Sequence, residues 1–315
     1  MVNQNILFVA IDNGHDQNGG PNVNLKRLLP RLCKKNRIIG CIIFVPPGKQ
    51  SLLSEYLAQH GVNTYEIYGY NSTEFRVRQL IRLIKEIQPT LFVSNVSVSA
   101  CYAAKVVRNA GGFAVGVYRS DDQFHYDYLR QFIGGDPKWR LNGLVSVTKN
   151  CFSVLRELHV PLPYLKIIPS GVTIPSSSDA SRDPSEIKIV YIGKIKEAQK
   201  RISLVIDTIV SILSSIPNSK AELIGEYCDA NSPETFREWL DGKGFGDRLK
   251  YIGPISPDLL HGYISKFDYQ ILHSEYEGVP GALMDGMICG LIPICFSQSP
   301  GVSELVLDKQ TGFLI

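Results

Sequence analysis

The feature that most constrains this chain is an alternation. Short runs rich in Val, Ile and Tyr, apolar at nearly every position, are separated by longer segments with apolar residues at helical spacing. Strands apolar throughout must be covered on both faces, and parallel neighbours need a long crossover, which a helix supplies. The spacing predicts strands over 6–11, 38–45, 64–67, 90–96, 114–118, 143–147 and 166–168 in the first half. In the second half it predicts them over 187–192, 220–224, 249–252, 269–272 and 291–296. Residues 75–87 and 202–216 repeat apolar side chains every three or four positions and predict helices. The expected fold class is therefore α/β, with two Rossmann-like doubly wound domains facing a cleft.

One stretch breaks the pattern. Residues 174–186 are rich in Ser, Pro and Asp with no apolar period, and read as a linker. It divides the 315 residues into an N-terminal domain, 1–173, and a C-terminal domain, 187–315, each long enough to bury a core. No apolar run approaches the ~18 residues that a membrane-spanning helix needs. The uncharged opening, followed by Asp12 soon afterwards, does not resemble a signal peptide. The seven cysteines are scattered and never spaced C-x-x-C, which argues against disulfide scaffolds and zinc ribbons and points to the cytosol.

Charge is unevenly divided. Residues 1–173 carry 20 Lys and Arg against 11 Asp and Glu, whereas the remainder carries 13 against 19. A basic first half suggests an anionic surface or substrate on that side. In 25–37 the apolar positions share one helical face and Lys26, Arg27, Arg31, Lys34 and Lys35 cover the rest, with Pro30 as a possible kink. The better reading is a core-facing helix with a solvated basic side, and contact with anionic headgroups is a further expectation. The cations are not interleaved with aromatics, so no nucleic-acid partner is expected.

Three stretches can carry chemistry. Gly19-Gly20, after the first strand and before a helix, lets the backbone approach an anion at the helix start. There is no G-x-G-x-x-G after a strand, which disfavours a dinucleotide-dependent dehydrogenase. Gly193-Lys194 ends a strand, and Lys200-Arg201 follows at a helix entrance, so cations converge where a diphosphate could sit. The third stretch is the most specific. Glu277 enters the Gly278–Pro280 turn, and Asp285 lies eight positions on, one face of a helix later. Ionised carboxylates only accept hydrogen bonds, which suits several sugar hydroxyls.

This third stretch resembles the retaining glycosyltransferases of family four (glycosyl transferases group 1), which have the two-domain GT-B fold. Their Glu, seven residues, Glu motif is matched at Ser274, Glu277, Gly278, Pro280, Met287, Gly290 and Pro293. Ile168-Pro169-Ser170-Gly171-Val172 and Ile192-Gly193-Lys194-Ile195 fit two further family segments in order. The resemblance implies transfer of a sugar from a nucleotide diphosphate, UDP- or GDP-linked, to an acceptor hydroxyl, the hydroxyl attacking on the face the nucleotide leaves. It implies that Glu277 contacts the donor sugar, Asp285 the ribose, and Lys194 and Lys200 the diphosphate, while Gly19, Gly20, Gly193 and Gly278 shape the donor site. It implies no cofactor and no metal, because cations and helix N-termini carry the departing charge. The acceptor is expected to be carbohydrate or glycolipid, in polysaccharide, lipopolysaccharide or glycolipid synthesis, on the cytoplasmic side of a membrane.

Departures from the family are visible. Asp285 stands where the second Glu is usual, and Lys194 where an Arg is usual. Arg119 occupies the position where many relatives place a His, leaving Asp121, Asp122 or His125 as acceptor-side substitutes, of which Asp121 is the catalytic candidate. Relatives usually continue beyond the T-G-F-L-I segment at 311–315, so C-terminal helices are expected to be missing. The rival readings are a GT-B-fold sugar-nucleotide epimerase and a non-catalytic nucleotide-sugar binder. A pocket carboxylate contributes little to a core, so replacing Glu277 is expected to stop transfer and spare the fold.

Overall fold

The computed structural model describes residues 5–12, 20–35, 37–69, 72–157, 159, 164–174, 182–229, 232–297 and 299–315. The chain divides into two compact units, Met1–Gly171 and Val172–Ile315. The expected linker, 174–186, falls largely outside the described residues.

In the first unit the strands are β1 (Asn5–Ile11), β2 (Ile38–Val45), β3 (Asn63–Tyr68), β4 (Leu91–Val93), β5 (Phe113–Tyr118), β6 (Gly143–Ser146) and β7 (Tyr164–Ile167). They form one parallel sheet in the order β3-β2-β1-β4-β5-β6-β7. Helices α1 (Gly20–Cys33), α2 (Leu52–Gln59), α3 (Thr73–Ile87), α4 (Val98–Asn109), α5 (Gln123–Phe132) and α6 (Cys151–Glu157) make the crossovers. The all-apolar strands explain themselves in β1. Its Leu7 and Val9 point into one core with Leu80 of α3, Ala103 of α4 and Phe132 of α5. Its Ile6, Phe8 and Ala10 point into another, with Leu25 and Leu29 of α1 and Leu53 and Leu57 of α2. Side chains alternate across a strand, so a strand covered on both faces reads as one unbroken apolar run. Leu25 and Leu29 are completely buried, each stabilising the fold by ~1.5–3 kcal/mol. Helix α1 starts ten residues before Pro30 and runs through it.

The second unit repeats the plan. Its strands are β8 (Ile187–Ile192), β9 (Ser219–Ile224), β10 (Leu249–Gly253), β11 (Tyr269–Leu272), β12 (Ile292–Cys295) and β13 (Phe313–Leu314). Their order is β10-β9-β8-β11-β12-β13, again parallel throughout. The helices are α7 (Glu197–Lys200), α8 (Ile202–Ser215), α9 (Pro233–Asp241), α10 (Pro257–Ile264), α11 (Gly281–Ile288) and α12 (Pro300–Ser303). Ile189 and Tyr191 of β8 face the α8 side with Val205 and Ile209, while Val190 and Ile192 face Ile264, Phe267 and Leu291.

Both sheets reverse their strand order beside the first strand, at β1/β4 and at β8/β11. In an open α/β sheet, ligands bind beyond the carboxyl ends of the strands at such a switch point. The loops after β8 and β11, and in the first unit those after β1 and β4, are therefore where function belongs. Each of the sequence-predicted strands is present. The two-residue β13 was not foreseen, because two residues carry no period.

Candidate active site

The carboxyl end of β8 is built by close backbone approach. Gly193 N–H donates to the Ile224 carbonyl (2.9 Å), and Gly225 N–H to the Gly253 carbonyl (3.0 Å), so three neighbouring strands end level. A Cβ on Gly225, which has φ +149°, would lie 1.7 Å from the Gly193 carbonyl oxygen. A Cβ on Gly193 would lie 2.8 Å from the Tyr191 hydroxyl. That hydroxyl is needed where it is, since it donates to the Lys194 carbonyl at 2.7 Å and fixes the start of the loop. The loop enters the single turn α7, which Arg201 ends in the left-handed region (φ 48°) before α8 begins.

Helix α7 is stitched to the loop after β11. Glu275 N–H donates to the Gln199 carbonyl (2.8 Å), and Gln199 Nε2 donates to the Tyr276 carbonyl (3.4 Å). Arg201 pairs with Glu275, and its guanidinium also lies 4.8 Å from the Phe296 ring centre. Between these contacts Lys200 Nζ meets Glu277 Oε1 in an ion pair. Both side chains are largely buried, Lys200 at 15% and Glu277 at 10% exposure. Glu277 also acts electrostatically on the buried Tyr191, which places it beside the base of the β8 loop. Among the described residues, Glu277 Oε2 takes no bond and is free to accept one.

Glu277 is held from behind as well. A Cβ on Gly301, in α12, would lie 1.3 Å from the Gly278 carbonyl oxygen, so the α12 backbone lies directly against this turn. Beneath it, His273 and Ser274 are buried. His273 Nε2 lies 3.0 Å from Thr208 Oγ1 of α8. Burial pushes His273 down to about 4, the bond to Leu272 opposing and Arg201 assisting, so the ring is neutral near pH 7.

Asp285 lies on α11, buried, and accepts a 2.9 Å bond from His261 Nε2 of α10. Lys200 and Glu277 touch, Lys194 enters through its backbone beside them, and Asp285 is engaged by His261. The expectation that Glu277 can be replaced without cost to the fold needs correction, because its removal leaves Lys200 buried and unpaired. His261 and Gln199 were not singled out, since a helical His and a loop amide carry no spacing signal.

In the first unit Gly20 opens α1, with nothing within 4 Å of the place a Cβ would occupy. Gly19 lies outside the described residues. Asp121 Oδ1 accepts from the Tyr118 hydroxyl at 2.5 Å. Asp122 caps α5 through the His125 N–H (2.9 Å) and meets the His125 ring at 2.8 Å. Burial raises the Asp122 carboxyl, but the His125 bonds outweigh it and hold the group below the usual carboxylate range. The three acceptor-side candidates are all engaged in the local structure of this loop.

Among the described residues no group of three or more His, Cys, Asp and Glu could hold a metal ion. No helix there is long and apolar enough to cross a membrane.

Residues 176–315 match the family described as glycosyl transferases group 1. The chain is 24% identical over 171 residues to the Vi polysaccharide biosynthesis protein VipC/TviE of Salmonella typhi, over 50% of this chain and 28% of that protein. Its fold is similar to that of Anabaena Alr3699/HepE in complex with UDP, with TM-score 0.76 at 16% identity, covering 99% of this chain and 85% of that one. It is also similar to the lipopolysaccharide outer core galactosyltransferase WaaB in its apo form, with TM-score 0.71 at 14% identity, covering 99% and 86%. These structures and this chain share the GT-B pattern of two Rossmann-like units.

Proposed function

We propose that this chain moves a sugar from a nucleotide diphosphate to an acceptor hydroxyl, a reading supported by the match of residues 176–315 to the family described as glycosyl transferases group 1. The observation that carries the reading is the Lys200–Glu277 pair at the β8/β11 switch point, a cation and an acceptor-only carboxylate side by side. Lys200 and Lys194 bind the diphosphate, and Glu277 takes hydrogen bonds from the sugar hydroxyls. Asp285, steadied by His261, bonds the ribose, with one methylene less reach than the family's Glu. Gly193 and Gly278 keep these loops close to the sheet.

In the transfer, the bond from the anomeric carbon to the diphosphate oxygen breaks with its electron pair on the phosphate. The acceptor oxygen bonds to that carbon from the same face, and its proton passes to the departing oxygen, so configuration is retained. Lys200 and Lys194 stabilise the charge that develops on the diphosphate, a role that preorganised cations fill without a metal. The donor is a UDP- or GDP-hexose. The acceptor belongs to polysaccharide, lipopolysaccharide or glycolipid synthesis, a reading supported by the names of the relatives.

The work takes place on the cytoplasmic side of a membrane, approached by the first unit. Leu25 and Leu29 of α1 face the core while Arg31, Lys34 and Lys35 face outward. Co-sedimentation with vesicles rich in anionic lipid should be strong at low salt and fade as salt is raised. The donor is identified by thermal shift against UDP-, GDP- and ADP-sugars. One nucleotide should raise the melting temperature of the wild type and not of Lys200→Met, and no shift with any of them would remove the donor site.

A further inference from the structure

Arg119 is the one family departure that the transfer reading does not use. It follows β5 at the edge of the first sheet's switch point. Nε and Nη2 donate to Asn95 Oδ1, in the loop after β4, at 3.2 and 2.9 Å. Nη2 also donates to Asn24 Oδ1 of α1 at 3.3 Å. Three segments around the β1/β4 reversal thus converge on one guanidinium.

Among the described residues both of its hydrogen-bond partners are neutral amides, and no carboxylate pairs with it. Burial pulls the group down to about 10, and it remains charged near pH 7. A largely buried positive charge without a counter-ion is costly unless something supplies the negative charge. Among the described residues Nη1 takes no hydrogen bond, and the side chain is not wholly enclosed, so a ligand can reach it. The chain also strains itself to hold the arrangement, since Asn95 and the β-branched Val96 both adopt positive φ, 44° and 68°. Such strain gathers at ligand sites.

We propose that Arg119 grips the carboxylate of an acidic sugar, making it a specificity-determining residue for one of the two substrates. A guanidinium is a donor only and cannot serve as a general base. A single positive charge among neutral amides matches one carboxylate, whereas a phosphate monoester brings about −1.5 to −2. The inference rests on the transfer reading for the identity of its ligand as a substrate sugar, but its test is of binding.

Binding of UDP-glucuronate, UDP-glucose, glucuronate, glucose and glucose 6-phosphate is measured by calorimetry on the whole chain. The acidic member of the UDP pair, or of the free-sugar pair, should bind about tenfold tighter or more than its neutral counterpart. Which pair discriminates tells whether the acid is on donor or acceptor. The preference should vanish in Arg119→Gln and partly survive in Arg119→Lys. Asn24→Asp keeps Arg119 and supplies an internal carboxylate at the same contact, so it should also abolish the preference in a folded protein. Equal affinity for acidic and neutral sugars, a preference for the phosphate alone, or an acid preference that persists in Arg119→Gln would overturn the proposal. Loss of all nucleotide-sugar binding with glucuronate binding intact would instead sink the transfer reading and leave the anion site standing.

Discussion

Replacing Lys200 by Met, or Glu277 by Gln, removes half of an ion pair whose members are only 15% and 10% exposed. The charge left behind has lost its partner and is poorly hydrated. Breaking a fully buried pair in this way costs ~3–5 kcal/mol, and the residual exposure puts the expected loss near the low end, ~3 kcal/mol. In a unit of the size of Val172–Ile315, each kcal/mol moves the midpoint by roughly 2–4 °C, so each single variant should melt about 6–12 °C lower. Replacing both partners by apolar side chains of similar volume is often close to neutral. Lys200→Met/Glu277→Leu should therefore recover most of what either single change loses. Thermal melts of wild type, Lys200→Met, Glu277→Leu and the double variant, followed by circular dichroism, complete the cycle. The reasoning is refuted by single variants that melt within 2 °C of wild type, or by a double variant whose loss equals the sum of the two.

Other consequences are open to measurement. The folded His273 titrates near 4 and the unfolded residue near ~6.5, so the unfolded chain binds more protons between these values. His273 should thus cost stability as pH falls from ~6.5 to ~4, by about 3 kcal/mol in all, and urea melts of His273→Asn should lack that component. Gly301→Ala sets a Cβ 1.3 Å from the Gly278 carbonyl oxygen, backbone against backbone. It should lower stability by ~3 kcal/mol or more and cut donor binding, and a wild-type melting curve would show that the turn is not so constrained. Asp285→Asn keeps the size of the side chain but weakens the bond to His261. It should raise the apparent Kd for the nucleotide severalfold, with little change for a free sugar.

The central strands were legible because they are buried on both faces. In β1 and β8 the alternate residues enter different cores, so the apolar run is continuous and easily seen. The order of the strands was harder to read. Lys200 and Glu277 are 77 residues apart, and it is the parallel pairing of β8 with β11 that joins them. Chain texture gave both residues as candidates without showing that they neutralise each other, hence the mistaken expectation about Glu277 and the fold. His261 and Asp285 stand 24 residues apart on two helices, a contact set by helix docking, which no local spacing encodes. Arg119 was visible only as a departure from a family pattern. Its two amide partners come from α1 and the β4 loop, 95 and 24 residues away.

The central claim is that the pair after β8 and β11 serves sugar transfer from a nucleotide diphosphate. Release of nucleoside diphosphate from a UDP- and GDP-sugar panel, followed in wild type, Lys200→Met and Glu277→Gln under conditions where all three are folded, tests it most directly. The account predicts turnover of at least one donor by the wild type and a loss of about a hundredfold or more in each variant, the scale of losing one transition-state contact. A wild type that consumes none of the donors, or variants that consume one as fast as the wild type, would contradict it.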